Sequence, residues 1–564
     1  MVTPSNKKKT IHFAGITSPL LRTVGKILRS LHLKSLLYNL VITLSQEKAL
    51  HQLRKIAQYS SYTPEKTKQG KKIIVHSVHG TFLEAIYKEG GIAKALQLRG
   101  HIIKMLLCGR ALTACPGVFT NKTPPNKWMC RNCIYFSKNF LKITDLPHAH
   151  YFDYININDI NKIKRMVSKM SINKCKTLIY KDVRAGFHAQ SSVIRFFEGE
   201  NSEDSKYKYD DILRLHVQNG IIATNVAERI MKIEKPDIIL TSHGCYSSWG
   251  CFSEYFINND IRVVTWGSGS RANTLVLDLD KLGCAFDRYN LEILKEKKLG
   301  KEEKQDLMEF LNKRTVGDKE GGDTSIFGFE QHNKEFLENK FRFNQYKRTY
   351  AMFPNLPWDV DLTTAHVVFR DVYDWITYTI QLFRDRPKFQ LLVKIHPIEH
   401  QRSEKTTYDY ILKEFKNLPE NITIIPPNTK ISAYSLFPFL DVGIIYNGTL
   451  GMELALNNIP AIIAGKIHYR NRGFTYDVHS KEEYKTLLFD TVFKELPQEK
   501  RELLHNFAYF YFCKTFIPFN ILYYKNFLNH GWKIQSFDDF TERKNYYLDC
   551  ICNYIINNTI YQDW

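Results

Sequence analysis

The chain has 564 residues, 44% of them apolar and 24% charged. That balance is globular and excludes collagen-like, mucin-like and coiled-coil architectures, and the length implies about two to four domains. Lys and Arg number 79 against 58 Asp and Glu, a net +21 that favours an anionic partner (nucleic acid, an anionic membrane or a phosphorylated substrate) or plain solvation of a large surface.

No run reaches the roughly 18 apolar residues of a spanning helix. Lys7, Lys8 and Lys9 are followed by no apolar core or small-residue cleavage site, so the expectation is a cytoplasmic chain with largely reduced cysteines.

Residues 1–70 hold twelve Lys or Arg against Glu47 and Glu65, a basic extension. Ser18-Pro19 supplies an N-cap and a first-turn proline. Leu20, Val24, Ile27, Leu28 and Leu31 follow at helical spacing, with Arg22, Lys26 and Arg29 on another face. The pattern predicts a basic amphipathic helix, suited either to an anionic bilayer or to packing on the rest of the protein.

From Lys71 the pattern becomes α/β. Ile73-Ile74-Val75 predicts a strand, a helical stretch runs to Leu98, and Ile102–Leu107 predicts the next strand. Residues 209–233 read as helix, Asp237–Leu240 as strand ending in His243-Gly244, 249–258 as helix and Ile261–Trp266 as strand. The charge-dense stretch 296–346 reads as a surface helix plus linker. A second set follows: strands at Ala351–Phe353, Phe389–Ile395, Ile422–Ile425, Val442–Tyr446 and Ala461–Ile463, with helices at Phe369–Phe383 and Leu450–Leu456. Residues 500–564 read as helical and aromatic.

The fold class is therefore α/β, with two doubly wound Rossmann-like domains facing a cleft, an N-terminal helical extension and C-terminal helices. The boundaries are 1–70, 71–345, 346–490 and 491–564. Ligands of such sheets sit at the carboxyl ends of strands.

The candidate groups cluster at those ends. Gly448-Thr449 opens a helix after a strand. Glycine permits close backbone approach and the helix start suits a phosphate, although Asn447-Gly448-Thr449 is also an ordinary capped turn. Glu453, one turn on, can accept from ribose hydroxyls. Lys394 and His396 share a strand face, with Pro397 fixing the backbone and Glu399 able to orient His396. His243, at a strand end in the first half, can take a proton from an acceptor hydroxyl, and Glu254 is a second candidate there. Cys108, Cys115, Cys130 and Cys133 are a candidate structural zinc set, of which only Cys130 and Cys133 have knuckle spacing. Reduced thiols and disulfides are the alternatives. Phosphate-loop, dinucleotide, zinc-protease and serine-hydrolase motifs are absent from the sequence.

Several of these pieces resemble the bacterial capsule polysaccharide biosynthesis family, which includes the capsule Kdo transferases. They are Phe353 to Asp359, Phe369 to Trp375, His396-Pro397-Ile398-Glu399, Gly448 to Ala455, Ile459-Pro460-Ala461 and Tyr469 to Thr475, with the Arg99-Gly100-His101 and His243 to Tyr246 turns in the first half. The likeness spans about residues 71–490. It implies a GT-B architecture with a nucleotide-sugar donor held mainly by the second domain, His396 at the donor phosphate, Thr449 at the phosphate-binding helix and Glu453 near the ribose. Asp359 joins His243 and Glu254 as a catalytic candidate. The paired serines of some relatives are replaced by Asn447-Gly448-Thr449-Leu450.

The expected function is glycosyl transfer from a nucleotide sugar to a growing bacterial surface polysaccharide of the capsule or lipopolysaccharide type. The alternatives are a nucleotide-sugar epimerase of similar fold and a non-catalytic membrane-associated assembly factor. Lys394 and Arg472 are expected to neutralise the leaving phosphate, so no catalytic metal or other cofactor is required. The expected partners are a nucleotide-sugar donor, a saccharide or lipid-linked saccharide acceptor and the anionic inner face of the cytoplasmic membrane, where the chain would be peripheral. Nucleic acid is not expected, because no recognised nucleic-acid module is present.

Overall fold

The computed structural model describes residues 34–61, 70–78, 82–115, 127–198, 207–271, 273–282, 291–318, 334–358, 366–403, 405–526 and 529–559. The first sheet is built from β1 (Lys72–Ser77), β2 (Ile102–Leu107), β3 (His148–His150), β4 (Ile238–Ser242) and β5 (Arg262–Ser268), all parallel, with β6 (Thr274–Leu279) antiparallel beside β5. The second sheet is β7 (Arg348–Phe353), β8 (Phe389–Lys394), β9 (Ile422–Ile425), β10 (Val442–Ile445), β11 (Ala461–Ile463) and β12 (Tyr476–Asp477), parallel throughout. The chain then returns to the first sheet, where β13 (Ile517–Pro518) pairs antiparallel with β6.

The second sheet has the order β12-β11-β10-β7-β8-β9, and the first runs β13-β6-β5-β4-β1-β2-β3. In both, the strand order reverses beside the first strand of the domain, between β1 and β4 and between β7 and β10. This reversal opens a crevice at the carboxyl edge, where doubly wound sheets take their ligands. The two doubly wound domains are the GT-B layout that the family resemblance implies.

Short β-branched runs form these strands because both faces are covered. Ile73, Ile74, Val75, Ile462 and Ile463 are all buried. One face of the first sheet packs on the helices Leu83–Leu98 and Tyr546–Asn557, the other on the helices Ala185–Phe197 and Tyr209–Ile233. The domains touch where the helix Ala185–Phe197 ends. Arg402 reaches the Glu198 carboxylate at 2.6 Å, and the Ser403 hydroxyl donates to the Glu198 carbonyl at 2.7 Å.

Two features differ from the sequence expectation. The stripe Leu20–Leu31 lies outside the described residues. The described part of the N-terminal extension contains the helix Lys34–Gln58, whose Leu50 and Leu53 are buried in the first domain's core, and whose Gln52 bonds the Trp532 carbonyl at 2.7 Å. Full burial of each such leucine contributes about 1.5–3 kcal/mol, enough to dock this helix rather than leave it an appendage. The segment 491–564 is not purely helical. It includes β13 and a hairpin, Leu522–Asn526 with Asn529–Trp532, between its helices, because its aromatics serve the first domain's core as well as the second's. No described helix is long and apolar enough to cross a membrane.

Candidate functional site

The switch point of the second sheet carries a cavity of ≈ 300 Å³, lined by the ends of β7, β8 and β10. Such a volume is at the small end for a ligand site. Each strand ends in the residues singled out from sequence: Phe353-Pro354-Asn355 after β7, Ile395-His396-Pro397 after β8 and Asn447-Gly448-Thr449 after β10. Asn355 ties the reversal together, its amide donating to the Asn447 side-chain oxygen at 3.1 Å.

Gly448 has φ +146°, a region that side-chain-bearing residues rarely adopt, and its carbonyl accepts from the buried Tyr469 hydroxyl at 2.6 Å. A Cβ there would meet nothing closer than Asn355 at 3.9 Å, so the constraint is the backbone and not space. Gly448→Ala is therefore expected to cost about 1–3 kcal/mol. Thermal unfolding should show this as a lowered transition, and an unchanged transition would mean that the turn relaxes freely.

At the β8 end, Lys394 and His396 both line the cavity. Lys394 is buried and its ammonium donates to the Ile395 carbonyl at 3.1 Å. Burial lowers its pKa to about 8, partly offset by the Glu399 charge. His396 accepts the Ile398 amide at Nδ1, 3.3 Å, which places the proton of a neutral imidazole on Nε2. Glu399 does not orient His396. It is fully buried, with its carboxylate accepting from the Thr407 amide at 2.6 Å and the Thr407 hydroxyl at 3.1 Å. The helix Ile398–Arg402 carries it inward beneath the loop, where burial pushes its pKa up to about 7 despite these bonds.

Glu453 is buried within the helix Leu450–Leu456 and takes three side-chain donors. These are the Tyr434 hydroxyl at 2.5 Å, the Thr449 hydroxyl at 2.9 Å and the Arg314 guanidinium at 3.4 Å. Thr449 thus spends its hydroxyl on Glu453. Tyr434 and Arg314 also line the cavity and were not picked out from sequence. Arg314 comes from the helix Lys301–Thr315, outside both sheets, where nothing distinguishes it from its charged neighbours. Its guanidinium lies 5.4 Å from the Phe512 ring centre and 5.8 Å from that of Phe310.

Other candidates lie elsewhere. Arg472 does not line the cavity. It packs 4.5 Å from the Phe507 ring and donates to the His468 carbonyl at 3.1 Å, because its loop turns toward the helix Gln498–Tyr509. Asp359 lies outside the described residues. Glu254 is buried in the helix Cys251–Ile257 and holds Arg184 (amide at 2.8 Å, guanidinium at 2.5 Å) and His188 at 3.1 Å. Burial alone would raise its pKa, but the bonds and charge of His188 and Arg184 outweigh that and lower it. It is a structural junction between two helices.

His243 ends β4 at the first sheet's switch point, with φ +52°. Its imidazole bonds the Ser242 hydroxyl and lies 5.7 Å from the Trp249 ring. Burial first, then the charges of Arg195 and Lys88, lower its pKa to about 4. Arg195 lies in the last turn of the helix Ala185–Phe197 and Glu198 is its C-cap, and Glu198 clasps Arg402. The two domains are thus joined through Glu198 and Arg402, six residues beyond His396.

The four clustered cysteines form no disulfide. Cys133, on the helix Lys127–Thr144 with Cys130, is near enough to Cys115, Cys108 and Cys130 that their charges add to burial in pushing its thiol pKa well up. Cys108 receives the backbone amides of Leu112, Arg110 and Ala111. Among the described residues, no three His, Cys, Asp or Glu groups are placed to hold a metal ion.

No known family profile matches the chain, and no curated protein matches it. Among solved structures it is similar to KpsC of Thermosulfurimonas dismutans, a beta Kdo 2,4 transferase, at 14% identity over 48% of this chain and 79% of that one, with a TM-score of 0.33. It is also similar to the UDP-GlcNAc 2-epimerase of Methanocaldococcus jannaschii (12% identity, 78% of this chain and 100% of that one, TM-score 0.26). SnogD, a glycosyltransferase of Streptomyces nogalater, is a third (10%, 79% and 96%, TM-score 0.23). Likenesses of this size decide nothing about the chemistry of this chain, which rests on the residues above.

Proposed function

We propose that this protein transfers a glycosyl unit from a nucleotide sugar to a growing bacterial surface polysaccharide, with the donor in the second-domain cavity. The observation that carries this reading is the convergence of Lys394, His396, Asn355 and Gly448-Thr449 on one cavity at the sheet's switch point. The capsule-family resemblance of those same segments names the reaction class.

Transfer breaks the bond between the anomeric carbon and the donor phosphate. The leaving phosphate takes negative charge, which the Lys394 ammonium and the His396 Nε2–H stabilise. The acceptor hydroxyl forms the new bond to the anomeric carbon and gives up its proton. His243 is neutral at pH 7 and stands at the carboxyl edge of the first sheet, and its imidazole is the group we assign to receive that proton. Peripheral attachment to the inner membrane face through residues 1–33 belongs to the same proposal.

Purified protein should consume one of a panel of nucleotide sugars when supplied with membrane-extracted acceptor, with product followed by chromatography and mass spectrometry. Conversion of the donor to an epimer without acceptor would contradict transfer, and so would indifference to the whole panel.

A further inference from the structure

Two helices on the first domain carry a one-sided charge. Lys34–Gln58 and Lys127–Thr144 hold eight Lys or Arg between them and a single acid, Glu47. Each buries one side in the first domain's core, Leu50 and Leu53 from the one, Phe136 and Phe140 from the other. On the second helix Arg131, Ile134, Tyr135, Lys138 and Lys142 recur at helical spacing and are all exposed. On the first, Leu44, Lys48, Arg54 and Lys55 are exposed in the same way. Leu44 is 43% exposed, Ile134 38% and Tyr135 50%, large values for apolar side chains at one place. The helices lie side by side and run in the same sense. The Asn132 amide reaches the Thr43 hydroxyl at 3.4 Å, and one turn on the Tyr135 hydroxyl donates to the Glu47 carboxylate. The one acid of this face is thus already engaged.

The helix Lys127–Thr144 leaves the carboxyl end of β2 and returns to the amino end of β3, so its leading half, with Ile134, lies toward the edge where the ligand crevice opens. We propose that this two-helix face is a membrane-docking surface, with Leu44, Ile134 and Tyr135 entering the headgroup layer of an anionic bilayer and the six exposed cations around them meeting lipid phosphates. This rests on the peripheral attachment in the reading above and adds to it a contact made by the folded domain itself. The mixture of side chains selects the partner. Aliphatic groups ringed by Lys and Arg gain by leaving water at a bilayer surface, whereas the phosphate backbone of a nucleic acid rewards the cations alone. Residues 1–33 contain six Lys or Arg and no Asp or Glu, so their charge opposes their covering this face and draws them to the same lipid.

The test sediments the full chain with vesicles of phosphatidylcholine alone and of phosphatidylcholine mixed with phosphatidylglycerol. The wild type should bind the mixed vesicles and be released by salt. Arg131→Glu with Lys138→Glu should weaken that binding by about 30-fold, and Leu44→Ser with Ile134→Ser by about 10-fold. The exchanged side chains are exposed, so thermal transitions should stay near that of the wild type; should the apolar variant unfold, the charge variant alone decides. Undiminished binding by the charge variant would overturn this face and leave attachment through residues 1–33 standing. Equal binding of the wild type to both kinds of vesicle would also overturn it, since the cations would then have no role. A wild type that binds no vesicles would overturn the face and the attachment together, and its retention of a DNA duplex instead would assign the cations to nucleic acid.

Discussion

Glu453→Ala is expected to destabilise the second domain by about 3–5 kcal/mol, because it removes one partner of a buried ion pair with Arg314. The Tyr434 and Thr449 hydroxyls lose their acceptor in the same change. For a domain of this size the loss should appear as a thermal shift of roughly 6–20 °C. Adding Arg314→Met to Glu453→Ala should recover part of it, since the cation that faced the carboxylate is then gone. Strictly additive losses in that double variant would show that the two charges do not act as a pair.

Nucleotide affinity should fall as pH rises through about 8, the pKa to which burial lowers Lys394. The sign follows from the charge. Below that pH the ammonium is protonated and attracts phosphate; above it the amine is neutral and does not. A bound anion favours the charged form, so the affinity should decline by about tenfold per pH unit from 8 until the complex itself deprotonates. Glu399, raised to about 7, gains its negative charge just below this range and acts in the same direction. Lys394→Met should bind weakly and show little dependence between pH 8 and 10. A wild-type profile as flat as that of the variant would remove Lys394 from the anion site.

The strands were readable because their β-branched runs are short and end in punctuation such as Gly448 or Pro397, and those strand ends are where the cavity lies. What the sequence could not supply is what packing decides. The strand Thr274–Leu279 was missed because it adds antiparallel to an otherwise parallel sheet, and its other neighbour, β13, arrives from more than two hundred residues away. Glu254 and Glu399 looked like site carboxylates by proximity in sequence, yet helical rotation turns both into the interior. Arg472 sits in a family-like segment but packs on Phe507. Arg314 lay hidden in a helix of lysines and glutamates, and only its tertiary placement beside Glu453 singles it out.

The second-domain cavity is expected to bind the phosphate of a nucleotide. Calorimetric titration of the wild-type chain and of His396→Ala with CMP and UDP tests it most directly. One of the two nucleotides should bind the wild type, and His396→Ala should lose about 10- to 100-fold in affinity with its thermal transition unchanged, the loss of one hydrogen bond to a charged group. Equal affinity in wild type and variant, or no binding of either nucleotide to the wild type, would contradict it.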